Sequence, residues 1–206
     1  MASMEYENKY YNEGYKVIVG MDEAGRGPLA GPLVISCVVL PQNYENAAIN
    51  DSKKLSEKKR EVLFEEIKNV ATYIGVKIID EATIDELNIY AATKKGMEDL
   101  IKEIPFKVDV VLVDAMKIEL KDMVVVPIIH GDAISTSIAA ASIIAKVTRD
   151  HIMYDIDKEF PMYDFKSNKG YGTKKHMEAI ETCGICKYHR RSYYPVSKYA
   201  QLKLDI

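Results

Sequence analysis

The chain alternates short apolar runs with longer amphipathic segments. Runs rich in β-branched residues predict strands, and such runs occupy residues 16–21, 33–40, 72–79, 108–113 and 123–129. Only a turn rich in glycine and proline separates the first two, which predicts an antiparallel pair. The last run contains Pro127, which favours an edge strand because proline cannot donate to a central ladder. The pattern therefore predicts a five-stranded sheet.

Segments with helical periodicity lie between and after the later strands. Ser56 is a suitable cap for a helix whose apolar positions 62, 63, 67 and 70 are predicted to face inward. Residues 83–86 (TIDE) fit a capping box that opens a helix reaching about residue 102. A long helix is predicted from about residue 133 to about 160, and the small residues at its start permit close approach to a sheet. A last helix is predicted over residues 173–183, whereas residues 51–55 are predicted to form a loop.

A strand pair followed by alternating helices and strands indicates the α/β class, with helices packed on a mixed sheet. At 206 residues the chain is long enough for one core of ordinary size. We expect a polar N-terminal tail at residues 1–15, a core domain at residues 16–160, and a helical C-terminal segment at residues 161–206 that packs on the core.

Composition favours a cytoplasmic protein. No apolar run approaches the ~18–20 residues that a membrane span requires, and the polar, acidic N-terminus does not fit a signal peptide. Three cysteines give no disulfide framework. Cys183 and Cys186 have C-x-x-C spacing but lack the second ligand pair of a zinc site and the context of a redox centre, so we interpret them as incidental thiols.

The charge is unevenly distributed. The net charge is −3, but residues 165–204 contain nine Lys/Arg and two acids, so this stretch carries +7 and the rest of the chain −10. Such a segment is typical of a polyanion-binding face. A solvated, lysine-rich surface explains the charge equally well.

Acidic residues follow three of the predicted strands. Asp22 and Glu23 end the first run, Asp114 follows the fourth, and Asp132 follows the fifth. If the first and fourth strands are neighbours, these carboxylates meet at the sheet edge where α/β proteins bind ligands. Carboxylates in close proximity need a counter-charge, and oxygen-only ligands suit Mg²⁺ or Mn²⁺. Successive strand residues face opposite sides, so Asp22 and Glu23 share a site only if the chain bends, which Gly25 permits. Each acid alone could instead serve a turn or a cap.

Six ordered motifs identify a family resemblance. They are GMDEAGRGPLAGP (20–32), NDSKKLS (50–56), DELNI (85–89), GDAISTSIAAASIIAKVTRD (131–150), KGYGT (169–173) and HRRSYYP (189–195). Together they resemble prokaryotic ribonuclease HII over about residues 17–195. The resemblance implies a ribonuclease H-like fold, with a mixed five-stranded sheet flanked by helices and a helical C-terminal segment.

The resemblance also implies an activity and a site. The expected reaction is endonucleolytic cleavage of RNA paired with DNA, including single ribonucleotides within a DNA duplex, leaving 3′-hydroxyl and 5′-phosphate ends. The family's catalytic acids fall on Asp22, Glu23, Asp114 and Asp132, which would hold two divalent metal ions, Mg²⁺ or Mn²⁺. The expected partners are RNA–DNA hybrids and DNA duplexes containing ribonucleotides, bound by a monomer.

Several residues are candidates for substrate contact. Gly25, Arg26 and Gly27 would let the backbone approach a ribose 2′-hydroxyl, and the resemblance implies that Tyr171 packs on the sugar at the RNA–DNA junction. Basic candidates for phosphate contact or for support of the metal site are Lys53, Lys54, Lys146, Arg190 and Arg191. His130 stands where the family commonly has a lysine, and we interpret it as a loop residue. Asp150 is expected to support the structure.

Other nuclease classes fit less well. The type 3 ribonucleases H typically have GKG in place of GRG and a substantial N-terminal domain, whereas 21 residues precede Asp22 here. Resolvases and exonucleases of the same superfold lack the KGYGT and HRRS motifs, and a nuclease of this kind is the main alternative. A non-catalytic binding module is disfavoured because all four acids are present.

Overall fold

A mixed sheet positions the acidic residues. The computed structural model describes residues 2–201, except for the side chain of residue 201. The strands are β1 (Ile18–Ala24), β2 (Leu33–Val39), β3 (Tyr73–Ile79), β4 (Val110–Asp114) and β5 (Val124–Ile128). Their spatial order is β3-β2-β1-β4-β5. Strand β1 runs antiparallel to β2 and parallel to β4, and β4 runs parallel to β5. The five strands, the antiparallel pair, the contact of first and fourth strands and the edge position of Pro127 are confirmed.

Helices precede, connect and follow the strands. They are α1 (Glu5–Asn12), α2 (Glu57–Val70), α3 (Glu81–Leu87), α4 (Ile89–Lys102), α5 (Thr136–Glu159), α6 (Phe165–Asn168), α7 (Lys174–Cys183) and α8 (Val196–Gln201). Ser56 and Thr173 cap α2 and α7 through side-chain oxygens, as expected for their positions. Gly184 follows α7 at φ 76°, a conformation that favours glycine.

The predicted helix from residue 83 to 102 is wrong in its start and its continuity. Asp80, not Thr83, is the cap, because its carboxylate accepts a hydrogen bond from the Thr83 amide at 2.8 Å. The helix then breaks at Asn88, which has φ 64°. The Asn88 side chain accepts hydrogen bonds from the amides of Tyr90 and Ala91, both at 3.0 Å. A new cap therefore interrupts what the apolar periodicity presents as one helix.

Smaller differences concern helix α2 and two loops. Val62 is 61% exposed rather than inward-facing, while Leu63 and Ile67 are buried as predicted. Residues 52–54 of the predicted loop form a 3₁₀ turn, capped by the carboxylate of Asp51. A second 3₁₀ turn, Gly131–Ala133, occupies the predicted start of the long helix, which begins at Thr136. Side-chain caps from Asp51 and Ser135 fix the starts of the 52–54 turn and of α5, and hydrophobic periodicity does not detect them.

The chain divides into two compact units. The first comprises Met1–Ala24, Val34–Lys77 and Thr93–Val147, and the second comprises Gly25–Leu33, Ile78–Ala92 and Thr148–Ile206. Our division into a tail at residues 1–15, a core at 16–160 and a C-terminal segment at 161–206 remains a proposal. Helix α1 lies within the proposed tail.

In the first unit, the start of α5 lies very close to β1. The small residues Ala139, Ala140 and Ala141 are fully buried. A Cβ atom added to Gly20 would come within 2.1 Å of the backbone of Ser137. The predicted close approach of this helix to the sheet is therefore confirmed, and Gly20 is required for it.

Helix α1 holds the N-terminus of α5 in place. The fully buried carboxylate of Glu7 accepts hydrogen bonds from the Ser135 hydroxyl at 2.7 Å and from the Ser137 amide at 2.8 Å. An anion at a helix N-terminus satisfies amides that lack intrahelical partners and interacts favourably with the helix dipole. Glu7 therefore acts as a capping group supplied from a distant part of the chain.

We expect Glu7→Ala to lower the free energy of unfolding by about 1–2 kcal/mol, the usual effect of losing a capping group. Urea denaturation followed by circular dichroism measures this change. Glu5→Ala is the matched control, because Glu5 is an exposed residue of the same helix. Equal effects of the two substitutions would contradict the capping role.

The second unit contains an aromatic and aliphatic core. Phe165, Tyr163, Ile180, Val196 and Met153 are buried together. The rings of Tyr163 and Phe165 stack at a centroid distance of 5.2 Å. This core supports two loops, residues 25–32 and 169–173, which carry the predicted substrate contacts.

Candidate active site

Three aspartates converge at one edge of the sheet. The register pairs Met21 with Val113, so the next residue on each of these parallel strands is an aspartate, Asp22 or Asp114. Asp132 lies in the 3₁₀ turn after β5. One carboxylate oxygen from each aspartate lies within 4.8 Å of the others. Parallel strands place their carboxyl ends at the same edge, and this geometry brings together three of the four predicted acids.

Glu23 is not in this group of three. It follows Asp22 on an uninterrupted stretch of β1, where the register pairs Asp22 with Ser36 and Glu23 with Ile35. Adjacent strand residues face opposite sides. The Glu23 amide donates a hydrogen bond of 2.7 Å to the Asp22 carboxylate. Glu23 is nevertheless close enough for its charge to raise the pKa of Asp22.

The cluster is electrostatically strained. Burial, followed by the charges of Glu23 and Asp114, raises the pKa of Asp22 well above its usual value. Burial also raises the pKa of Asp132, although Lys53 opposes this effect with its ammonium 3.4 Å from the carboxylate. Buried carboxylates in mutual contact favour a bound cation, and their oxygen-only donor set suits Mg²⁺ or Mn²⁺. The residues present therefore fit a divalent metal.

We expect Asp22→Asn to raise the thermal unfolding midpoint in EDTA at pH 7. The folded state raises the pKa of Asp22, so the ionised carboxylate costs stability at neutral pH and asparagine removes that cost. The gain should vanish as the pH falls below the ordinary value of 3.8, where both folded and unfolded wild-type chains carry a protonated Asp22. Mg²⁺ should stabilise the wild type more than the variant. A variant less stable than the wild type in EDTA would contradict this account.

Neighbouring groups orient the aspartates. The Gly131 amide donates a hydrogen bond of 2.7 Å to Asp114 Oδ1. Ser142, from α5, hydrogen-bonds the carboxylate of Asp22. Its hydroxyl also lies 2.9 Å from the Ser52 hydroxyl. Sequence reasoning missed these supporting groups, although both serines lie in motifs that were singled out. The side chain of His130 is exposed, consistent with a loop residue.

The glycine loop (residues 25–32) and Tyr171 share a surface within the second unit. Gly25 has φ 102°, and an added Cβ would lie 2.2 Å from the guanidinium of Arg149. Arg26 and Gly27 are exposed, and a Cβ at Gly27 would contact the Tyr171 ring at 3.6 Å. The Tyr171 side chain is about half exposed. The structure therefore brings together the two elements predicted to contact the ribose.

Arg190 does not have the phosphate-contacting position that the sequence suggested. It is fully buried. Its guanidinium donates hydrogen bonds at 2.6–3.2 Å to the carbonyls of Gly25, Arg26 and Gly31 and to the Tyr193 hydroxyl. The side chain of Arg190 is therefore used to fix the glycine loop. The fork of donors on arginine suits several carbonyls at once, and this explains its burial.

A second buried arginine, Arg149, performs a similar function and was missed by sequence reasoning. It donates hydrogen bonds at 2.9–3.1 Å to the carbonyls of Pro32, Ala30 and Lys169. Burial lowers its pKa to about 10, so it stays charged at neutral pH. The available signal was its place within the motif at residues 131–150.

The other basic candidates lie in different environments. Arg191 is exposed, and its amide donates to the carboxylate of Asp85, which also binds Ser192. Lys54 is exposed and pairs with Asp51 at 3.5 Å. Lys146 is half-buried on α5. These three remain proposals for phosphate contact.

The fold and the acidic cluster define the class of protein, a metal-dependent nuclease with the ribonuclease H fold. The crystal structure of the ribonuclease H2 from Pyrococcus horikoshii OT3 shares this fold, with a TM-score of 0.75 at 22% identity, covering 93% of this chain and 100% of that chain. The profile of the family described as Ribonuclease HII matches residues 19–196, and the chain belongs to this family.

Relatives whose sequences align with nearly the whole chain support this assignment. Ribonuclease HII of Listeria monocytogenes is 51% identical over 201 residues, which is 98% of this chain and 76% of that protein. Ribonuclease HII of Acholeplasma laidlawii is 48% identical over 196 residues, which is 95% of this chain and 96% of that protein. The resemblance inferred from six motifs is confirmed, and the chain is an enzyme of the ribonuclease H class. Within residues 2–201, none of the helices has the length and hydropathy to span a bilayer.

Proposed function

We propose that this chain hydrolyses the RNA strand of RNA–DNA hybrids and nicks duplex DNA on the 5′ side of embedded ribonucleotides. The products would carry 3′-hydroxyl and 5′-phosphate ends. The observation that carries the proposal is the convergence of Asp22, Asp114 and Asp132, with carboxylate oxygens within 4.8 Å of one another. Membership of the ribonuclease HII family supports the substrate class.

The acidic residues would hold two divalent ions, Mg²⁺ or Mn²⁺. Asp22, Asp114 and Asp132 would supply ligands from the clustered group, and Glu23 is the fourth carboxylate of the proposed set. Bound divalent ions activate water and stabilise the charge that develops on the transferred phosphoryl group and its leaving oxygen. The chain fixes the orientation of Asp114 through the Gly131 amide. Lys53 holds Asp132 and remains largely exposed, so it can also contact a phosphate.

The second unit would recognise the ribonucleotide. Backbone groups of Gly25, Arg26 and Gly27 would hydrogen-bond the 2′-hydroxyl, the group that distinguishes RNA from DNA. Tyr171 would pack on the sugar at the RNA–DNA junction. Arg190 supports this reading by directing loop carbonyls towards the interior. The exposed Arg191 and Lys54, together with Lys146, would contact phosphates and set the register of the duplex.

An end-blocked, labelled DNA duplex with one ribonucleotide tests the proposal. The expected result is a nick on the 5′ side of the ribonucleotide with Mg²⁺ or Mn²⁺, absent in EDTA and absent from an all-DNA duplex. End-blocking excludes exonuclease activity. Cleavage of long hybrids alone would contradict the junction-reading role of the loop and Tyr171. No cleavage of either substrate by folded protein would contradict the proposed activity.

We also propose that the protein is a cytoplasmic monomer. The composition, with three cysteines and no disulfide framework, supports the compartment. Light scattering coupled to size-exclusion chromatography tests the oligomeric state, and cell fractionation tests the location.

A further inference from the structure

Two histidines form a buried pair within the second unit, and the proposed chemistry uses neither. His176, in α7, and His189 have exposed fractions of 0% and 1%. Their Nε2 atoms lie 3.1 Å apart. His176 Nδ1 lies 2.9 Å from the Tyr171 carbonyl oxygen, and His189 Nδ1 lies 3.0 Å from the Cys186 amide nitrogen. The pair therefore connects the backbone of Tyr171 with the segment that contains Arg190.

The groups at both ends determine where each proton lies. The Tyr171 carbonyl can only accept, so His176 must carry its proton on Nδ1. The Cys186 amide can only donate, so His189 Nδ1 must be unprotonated. A neutral imidazole has one protonated and one unprotonated nitrogen. His189 Nε2–H therefore donates to His176 Nε2. The Tyr171 carbonyl and the Cys186 amide both require this direction. The pair forms a one-way chain of hydrogen bonds that ends at Tyr171.

The surroundings keep both rings neutral. The ring of Tyr163 lies 4.8 Å from that of His189, and the ring of Phe165 lies 5.2 Å from that of His176, measured between centroids. Burial, reinforced by His176, lowers the pKa of His189 to about 4, and burial also lowers that of His176. Burial raises the pKa of the adjacent Cys186 thiol to about 11 and that of the Tyr163 hydroxyl to about 12. At neutral pH these neighbours are uncharged, so the hydrogen-bond direction persists.

The chain of bonds holds a residue that its neighbours leave conformationally free. Tyr171 lies between Gly170 and Gly172. Its carbonyl accepts from His176 and also from the Thr173 amide at 2.8 Å, so both lone pairs are used. The Tyr171 ring remains about half exposed. A fixed backbone with an exposed ring is a pre-organised contact, which avoids an ordering cost when a ligand binds.

The other end of the chain of bonds meets the glycine loop. His189 forms an antiparallel bridge with Ala30, and the adjacent Arg190 binds the carbonyls of Gly25 and Arg26. The imidazole pair thus joins the segment that fixes the loop to the backbone of Tyr171. A change in either histidine would alter the position of Tyr171 relative to Gly27.

We propose that His189 and His176 are positioning residues that fix Tyr171 against the glycine loop for contact with the ribonucleotide. This inference rests on the proposed role of Tyr171 in the reaction. It assigns a function to His189 of the HRRS motif and to His176, neither of which touches substrate.

Imidazole ¹H–¹⁵N correlation spectra of the wild type at pH 7 test the chain of bonds without reference to activity. The expected result is opposite neutral tautomers, with the proton on Nδ1 of His176 and on Nε2 of His189. His176→Phe and His189→Phe variants assign the signals. Two identical tautomers, or an imidazolium at either position, would overturn the proposal.

Two His176 variants and a double-mutant cycle test the positioning role. His176→Phe removes the donor to Tyr171, whereas His176→Asn can place an amide N–H near the position of Nδ1. We expect His176→Phe to raise KM for a single-ribonucleotide duplex about tenfold, the order expected for one lost buried hydrogen bond, with a smaller change in kcat. His176→Asn should restore most of this loss. In a Tyr171→Ala background, His176→Phe should have no further effect, because the residue that it positions is absent.

The outcomes separate this inference from the proposed function. Additive effects of His176→Phe and Tyr171→Ala, or no recovery with asparagine, would overturn the positioning role while wild-type cleavage leaves the proposed function intact. If the wild type fails to cleave the ribonucleotide duplex, the proposed function fails, and the positioning role that depends on it fails as well. Stabilisation by Mg²⁺ should be equal in the wild type and in His176→Phe, since the acidic cluster is unchanged.

Discussion

Replacing Asp114 by asparagine is expected to lower kcat by more than about 100-fold, beyond the loss typical of residues that only support metal ligands. Asp114 contributes one of the three clustered carboxylates. Asparagine retains an oxygen that can accept from the Gly131 amide, which lies 2.7 Å from Oδ1. The substitution therefore removes charge from the proposed metal site with little change of shape. Steady-state cleavage of the end-blocked ribonucleotide duplex at saturating Mg²⁺ measures the effect.

Asp122→Asn is the matched control for this change. Asp122 is an exposed residue in the turn before β5, and its φ of 64° is one that asparagine tolerates. The control also removes one negative charge, but from a residue outside the cluster. The activity of Asp122→Asn should therefore match that of the wild type. Near-normal turnover of Asp114→Asn would exclude Asp114 as a metal ligand and remove the main support for the proposed mechanism.

Replacing Arg190 by lysine is expected to lower the free energy of unfolding by about 3 kcal/mol, because a lysine ammonium cannot reproduce the fork of a guanidinium. Arg190 is fully buried and binds three backbone carbonyls and the Tyr193 hydroxyl. Loss of these bonds leaves the carbonyls of Gly25, Arg26 and Gly31 without this donor and loosens the glycine loop. Cleavage next to a single ribonucleotide should therefore fall at least about tenfold, even under conditions where the variant is folded.

Arg191→Lys provides the comparison within the same dipeptide. Arg191 is exposed, and its contact with Asp85 uses the backbone amide, which the substitution keeps. Its stability should change by less than about 0.5 kcal/mol, as for most surface substitutions. Chemical denaturation and cleavage assays on both variants test the distinction. Similar behaviour of Arg190→Lys and Arg191→Lys would show that burial of Arg190 does not matter for the loop.

Arg190 and Arg191 show which properties of a basic residue can be predicted from the sequence and which cannot. The excess of basic residues in residues 165–204 indicated contact with a polyanion, and both arginines were assigned as candidates for phosphate contact or for support of the metal site. Charge alone does not say whether an arginine faces solvent or backbone carbonyls. Burial decides this, and burial depends on chain segments far apart in sequence: Arg190 binds Gly25, which is 165 residues away. The same reason explains why Arg149 and the histidine pair were missed.

The acidic cluster was also predicted in part from the sequence and decided in part by the tertiary structure. Acids at the ends of three hydrophobic runs gave the four candidate carboxylates, and the resemblance implied that all four are catalytic. The structure brings Asp22, Asp114 and Asp132 together but leaves Glu23 out of this group of three, because β1 continues without a bend past Asp22. Gly25, which was expected to permit such a bend, instead has its positive φ after the strand.

The sequence by itself determined the strands, most helices, the family and the chemical nature of the site, because local periodicity and short motifs encode them. It also predicts that Tyr171 and the glycine loop contact the substrate. Only the tertiary structure decided which carboxylates meet, which arginine is buried, and which caps divide α3 from α4. The first two features depend on hydrogen bonds and desolvation among residues distant in sequence, which no local pattern records. The cap at Asn88 is a local hydrogen bond that hydrophobic periodicity does not detect.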